Sequence, residues 1–252
     1  MGEMHLLEIQ GLSFGYGGLN HRVLEDINMV MNEGESVGII GANGVGKSTL
    51  LKLLAGLLYM QEGRIKFAGL DMKKENLRRI RAELGYVFQD SDNQLFMPTV
   101  YEDVAFAPRN YGRSEEEIHR LAMKALEQVG MDEKKDRQIY RLSGGEKKLA
   151  SIATVLAMDV KLILLDEPSV ALDPRNRRNL IHVLNGLAKA KLIASHDLDF
   201  VYDTCQRAVL LSKGGIVAEG EAKELLTDQK LLEEHGLELP LSFSRRSSDN
   251  KI

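Results

Sequence analysis

Residues 36–54 read SVGIIGANGVGKSTLLKLL. The opening run, SVGIIG, is continuously apolar, the pattern of a short strand buried on both faces. Beyond it Leu50, Leu53, Leu54 and Leu57 recur at helical spacing, so a helix is predicted to open at KST, with Gly56 a small cost inside it. Between strand and helix lie Gly41, Ala42, Asn43, Gly44, Val45, Gly46, Lys47, Ser48 and Thr49. They meet the phosphate-loop template of glycine, four residues, then Gly-Lys-Ser/Thr, in the strand-to-helix context that the template needs. Glycines let backbone N–H groups turn toward phosphate oxygens, and the helix N-terminus adds partial positive charge. Lys47 is expected to reach the β- and γ-phosphates and the Ser48 hydroxyl to sit on Mg²⁺, with Thr49 as a further phosphate contact.

Two other segments gain meaning beside this loop. LILLDEP, residues 162–168, is a second buried strand, and it ends in two carboxylates before Pro168 stops it. Asp166 is expected to hold Mg²⁺, directly or through water. Glu167 is expected to act as general base on a water in line with the γ-phosphate. LSGGE, residues 142–146, places a serine and two glycines at a helix start, which makes a second anion cradle. In a chain that already has one phosphate loop, a second cradle makes most sense for the nucleotide of a partner copy.

The phosphate loop, LSGGE and LILLDEP, in this set, resemble the ATPase subunit of ABC systems. The resemblance covers about residues 5–220. It implies an α/β fold: a phosphate-loop NTPase core with a mixed or parallel sheet, N-terminal antiparallel strands and an inserted helical subdomain. It implies ATP and Mg²⁺ as cofactors and a head-to-tail, two-fold dimer with two ATPs at the interface. Ser143 and Gly145 then meet the partner's γ-phosphate, with Gly144 in the same nucleotide-binding turn. Gln89 at the end of YVFQ matches the Q-loop glutamine, a ligand of Mg²⁺ or water. Asp173 in ALDP matches the D-loop, which couples the two sites. His196 in ASHD matches the switch histidine that bonds the γ-phosphate. Tyr16 is the choice for stacking on adenine, with Phe14 as the alternative. Four departures from the pattern, Ala42, Glu146, Leu149 and Ser195, remove no catalytic group.

The rest of the chain fits around these motifs. LLEIQGLSFGYGG reads as a strand, a turn and a second strand, and VLEDINMVMNEGE as another antiparallel strand. GRIKFAGLDM reads as two short strands turning at Gly69. From about residue 91 to 160 the texture changes to a helical insertion. Within it DNQLFMPTVYEDVAFAPRNYG is turn-prone, and SEEEIHRLAMKALEQVGM is a helix with a Ser114–Glu117 capping box and Gly130 at its end. A helix follows the signature glycines. A helix over NRRNLIHVLNGLAKA, a strand over KLIASHD, a short helix over DLDFVYDTC and a hairpin turning at Gly214-Gly215 complete an ATPase domain over residues 1–220. Residues 221–252 form a short tail with two helical patterns and a polar, disordered end.

Composition bounds the partners. The 252 residues are 44% hydrophobic and 28% charged, with a net charge of -4. That is ordinary for a globular protein and gives no basic footprint for nucleic acid. No apolar run approaches the ~20 residues of a membrane span. The N-terminus has no signal core, and Leu6 stands where myristoylation needs Ser or Thr. The single cysteine, Cys205, is expected to be a small buried residue in a reducing cytoplasm.

An ATPase without a span must pass its motion to another protein. Residues 89–112 (QDSDNQLFMPTVYEDVAFAPRNYG) and 231–240 (LLEEHGLELP) resemble energy-coupling-factor (ECF) importer ATPases, especially of the cobalt and nickel type. That resemblance implies a homodimer or a pair with a paralogous ATPase, peripheral to the cytoplasmic face of the membrane. Its partners are a transmembrane coupling protein and a substrate-capture protein. Tyr101, Asp103 and Phe106 are candidates for the coupling surface, with packing inside the helical insertion as the alternative for each, and the short tail favours the homodimer. The rival readings are an ATPase of another importer or exporter, and a non-transport ABC protein acting on ribosomes or DNA. The single ATPase unit, the retained His196 and the lack of a coiled coil count against the last.

Overall fold

The computed structural model describes residues 5–18 and 21–243. Two sheets organise it. The strands β1 (Leu7–Phe14), β2 (Leu24–Met31), β4 (Glu62–Phe67) and β5 (Leu70–Asp71) form an antiparallel sheet in the order β2-β1-β4-β5. The central sheet has six strands in the order β10-β9-β3-β8-β7-β6. They are β3 (Ser36–Ile40), β6 (Leu84–Val87), β7 (Leu162–Asp166), β8 (Ala190–Ala194), β9 (Arg207–Ser212) and β10 (Gly215–Glu221). All its pairings are parallel except β9 with β10. Every residue of β3, β7 and β8 is buried, as parallel strands covered on both faces should be.

The helices are α1 (Lys47–Leu54), α2 (Leu77–Glu83), α3 (Val100–Asn110), α4 (Glu115–Val129), α5 (Gly144–Leu156), α6 (Pro174–Gly186), α7 (Leu198–Thr204), α8 (Ala222–Leu225) and α9 (Gln229–Glu234). One apolar core lies between the antiparallel sheet, α1 and one face of the central sheet. The other joins the opposite face to α3, α4, α5, α6 and α7. The helices α3 to α5 enter between β6 and β7, so the helical insertion hangs from two adjacent central strands.

Several expectations need correction. Residues 7–14 are one strand, because a register shift between Ile9 and Leu12 absorbs Gly11 without ending the ladder. Gly56 ends the first helix instead of sitting inside it: its φ of 64 is left-handed, and its N–H bonds the Leu53 carbonyl. The turn-prone stretch contains a full helix, α3, which Thr99 and Glu102 start with a closed capping box. The expected box at Ser114 is half made. The Ser114 hydroxyl accepts the Glu117 N–H, while the Glu117 carboxylate is taken by Arg113. The last hairpin turns on Lys213 and Gly214, both at positive φ, and Gly215 already pairs with Ser212. The tail holds α8 and α9, and its polar end, residues 244–252, lies outside the described residues. Cys205 is buried, and burial pushes its thiol up to about 12. Among the described residues no helix is long and apolar enough to cross a membrane.

Candidate functional site

Four adjacent parallel strands, β3, β8, β7 and β6, carry the site at their C-terminal edge. The glycine loop follows β3, His196 follows β8, Asp166 ends β7 with Glu167 next, and Gln89 lies two residues beyond β6. Parallel pairing brings residues far apart in sequence to one edge, where open α/β sheets bind their ligands. A cavity of about 380 Å³ there is lined by Asn43, Gly44, Gly46, Lys47, Ser48, Thr49, Gln89, Glu167, Val170 and His196.

The loop fits a polyphosphate. An added Cβ on Gly44 would meet nothing within 4 Å, so this backbone faces open space. On the other side, a Cβ on Gly41 would lie 2.3 Å from the Leu211 carbonyl, so the chain there is held close to β9. Ala42 contributes its carbonyl and Val45 packs partly buried on the core, so neither side chain makes the cradle. The Lys47 ammonium is buried and donates to the Gly41 and Ala42 carbonyls at 2.7 and 3.2 Å. Sequence reasoning aimed it outward at phosphate. Here the loop's own oxygens satisfy the desolvated charge. Burial lowers its pKa, and Glu167, whose Oε1 is 3.7 Å away, partly offsets this.

The oxygen donors suit a hard cation. Ser48 Oγ donates to Asp166 Oδ1 at 2.7 Å. Tyr86, which the sequence reading missed, donates its hydroxyl to the other oxygen, Oδ2, at 2.9 Å. Burial and the adjacent Asp166 charge hold the Tyr86 phenol protonated. Among the described residues no cluster of three His, Cys, Asp or Glu could bind a metal alone. A Mg²⁺ held by Ser48 and Asp166 would take its remaining ligands from phosphates and water, as is usual for this ion.

Glu167 is fixed from several sides. Its backbone is left-handed, with φ 45, a strain that a non-glycine residue keeps only where its surroundings enforce it. Its Oε2 accepts from Ser195 Oγ at 3.3 Å, the His196 N–H at 3.2 Å and His196 Nδ1 at 2.8 Å. A carboxylate only accepts, so Nδ1 carries the ring proton in this contact.

The remaining predicted residues lie elsewhere. Tyr16 is 56% exposed and its hydroxyl is 3.2 Å from Thr49 Oγ1, while Phe14 is 5% exposed and packs edge-on beneath it. Only Tyr16 offers a ring to a ligand. Ser143, Gly144 and Gly145 line no part of the phosphate-loop cavity, but Gly144 lines an adjoining cavity of about 520 Å³ with Ser48, Gln89 and Asp166. Ser143 is the N-cap of α5 in a closed capping box with Glu146. Asp173 caps α6 through the Arg175 and Asn176 N–H groups.

Two further residues escaped the sequence reading. Gln94 accepts the Phe88 N–H and donates to Ser151 and Thr154 of α5. Lys148, buried in α5, donates to the Phe88 and Gln89 carbonyls at 2.8 and 2.7 Å, and burial lowers its pKa to about 8. Together they fasten the segment bearing Gln89 to the helix behind Ser143. No local pattern marks either, because the contacts between this segment and α5 join residues 57 to 60 apart in sequence.

The candidates for a coupling surface divide. Asp103 is buried, and its carboxylate accepts from the Phe96 and Met97 N–H groups, so it shapes a turn. Tyr101 is half-buried against His119. Phe106 is 38% exposed and pairs edge-on with Phe96, itself 65% exposed, beside a cavity of about 200 Å³.

This fold and this strand-edge site define a phosphate-loop nucleotide hydrolase. The family model described as "ABC transporter" matches residues 24–170. A putative ABC transporter ATP-binding protein of Gloeobacter violaceus is 47% identical over 224 residues, spanning 88% of this chain and 92% of its own. The energy-coupling factor transporter ATP-binding protein EcfA of Carboxydothermus hydrogenoformans is 42% identical over 238 residues, spanning 93% and 87%. The solved structure of cbiO1 from Clostridium perfringens, described as part of the ABC transporter complex cbiONQ, matches with a TM-score of 0.85 at 33% identity. It covers 99% of this chain and 100% of its own. The chain belongs to the ABC transporter ATP-binding family, and it is an ATPase that binds ATP.

Proposed function

We propose that this ATPase drives an ECF-type importer, working as a head-to-tail pair on the cytoplasmic face of a membrane. The observation that carries the reading is an incomplete site. Lys47, Glu167 and His196 line the phosphate-loop cavity without the signature turn at 143–145, and Gly144 of that turn instead lines an adjoining cavity of about 520 Å³ with Ser48, Gln89 and Asp166. A second copy turned by a two-fold axis supplies that turn to each site. Similarity to EcfA and to cbiO1 supports the ECF assignment. The texture of residues 89–112 and 231–240 supports cobalt or nickel as the transported ion. The helices α3 to α5, about residues 91–160, are the subdomain that moves, and Phe96 with Phe106 meets the transmembrane coupling protein. A capture protein delivers the substrate.

In the site, the loop N–H groups and Lys47 bind the phosphates of ATP, Thr49 adds a contact, and Tyr16 stacks on the base. Ser48 and Asp166 would hold Mg²⁺, with Gln89 as a further ligand directly or through water, and the ion would supply charge neutralisation for the phosphates. Glu167 takes the proton of the attacking water. His196, held by Glu167 at Nδ1, presents its other nitrogen toward the γ-phosphate. Ser143, Gly144, Gly145 and Asp173 act on the partner's site.

Glu167→Gln tests this. We expect it to bind ATP, elute as a dimer with ATP on size exclusion and hydrolyse nothing measurable. Turnover near the wild-type rate would move the general base elsewhere. A monomer with ATP bound would remove the head-to-tail arrangement.

A further inference from the structure

The start of α6 touches three motifs of its own chain. An added Cβ on signature Gly145 would lie 2.3 Å from Asn176 Cγ, so the two helices α5 and α6 are in contact at that point. Asn176 in turn clasps Asp173: its backbone N–H donates to Oδ1 and its side-chain amide to Oδ2. The next residue, Arg177, reaches the other way. Its guanidinium donates to both oxygens of Asp197, at 2.9 and 3.0 Å, and lies over the Phe200 ring. Asp197 adjoins His196 and caps α7 through the Phe200 N–H. Its own N–H donates to Ser195 Oγ, which donates to Glu167.

We propose that Asn176 and Arg177 are positioning residues that hold the signature turn, the Asp173 turn and the switch His196 of one chain as a single mechanical unit. A bidentate guanidinium–carboxylate pair fixes angle as well as distance, which a point charge does not. Displacing the signature turn therefore displaces α6, and α6 carries Asp197 and the His196 backbone with it. Each chain's trans-acting turn is thus geared to its own cis-acting histidine. This rests on the two-site ATPase reading above, through which the gearing links the two ATPs.

Removing Arg177 alone also leaves Asp197 a half-buried, unpaired charge, so stability and positioning must be separated. Asp197→Asn keeps a helix-capping side chain and removes that charge. We would measure kcat, ATP KM, the Hill coefficient for ATP and Tm for wild type, Arg177→Met, Asp197→Asn and the double variant. Arg177→Met is expected to lower kcat about 10- to 100-fold, as misplacing a catalytic group does. ATP KM should change little. The Hill coefficient should drop from near two, the number of sites in the pair, toward one. The double variant should recover Tm while kcat and the Hill coefficient stay low. Recovery of kcat together with Tm would overturn the proposal, since the pair would then only shield a charge. So would wild-type kcat and cooperativity in Arg177→Met. A wild-type Hill coefficient of one would count against the paired-site reading instead, and the kcat comparison would still decide the tie.

Discussion

Tyr16 shows how one side chain becomes available while its neighbour does not. Phe14 ends β1 buried in the core, whereas Tyr16, two residues past the strand, has left the ladder and stands over the loop with its hydroxyl on Thr49. An aromatic stack on a base contributes about 1–3 kcal/mol. Tyr16→Ala is therefore expected to raise the ATP dissociation constant about 5- to 150-fold while kcat at saturation stays within about twofold. Titration with a fluorescent ATP analogue reads this directly, and an unchanged constant would mean that nothing stacks there. Glu167 makes a different point at the same scale. Its identity was legible from LILLDEP, but its left-handed backbone and the Ser195 and His196 contacts come from a strand paired in space.

At the scale of elements, capping governs two helices of the insertion. Glu146 closes the box on Ser143 and also meets Lys134 and Arg137. Lys134 and the Ser143 N–H hold its carboxyl at about 2, below the ordinary 4.5. A carboxylate depressed in the fold stabilises fully above its unfolded pKa and loses that contribution as pH falls through the folded one. Glu146→Gln, which keeps the cap but not the charge, should melt a few degrees below wild type near pH 7. The gap should close between about pH 4.5 and 2. A Tm difference that does not vary with pH would discount the charge. In α3 the important carboxylate is Asp103, for which the sequence left a coupling surface and packing inside the insertion as alternatives, and which is buried. Asp103→Ala strands two N–H groups, at a cost of about 1–3 kcal/mol. We expect a lower urea midpoint with an unchanged m-value, and an unmoved midpoint would contradict the buried role.

Over the whole molecule, the helical insertion exposes one aromatic pair beside a small cavity. Large exposed apolar groups around a recess mark interaction surfaces. Replacing Phe96 and Phe106 by Ala should leave ATP hydrolysis by the isolated protein within about twofold, because neither lines the phosphate-loop cavity. Co-purification of a membrane coupling protein from detergent-solubilised native membranes should fall sharply. Retention of that protein by the double variant would place the contact elsewhere on the insertion. The same purification from wild type distinguishes a homodimer from a pair with a second ATPase.

The phosphate loop, the Asp166-Glu167 pair, the signature turn and the α/β alternation were all readable from residue order. Each is a local pattern in which backbone geometry and side-chain chemistry lie within about ten residues of each other. The helix α3 was missed because its cap, Thr99 with Glu102, is buried in a stretch dense with turn formers and ends beside Pro108. Tyr86 on Asp166, Lys148 on the Gln89 segment and Arg177 on Asp197 had no local signature at all. Their partners arrive only when parallel strands and inserted helices fold together. A hydrogen bond between distant residues leaves no period in the sequence, so only the tertiary structure decides which chemically able side chains become neighbours.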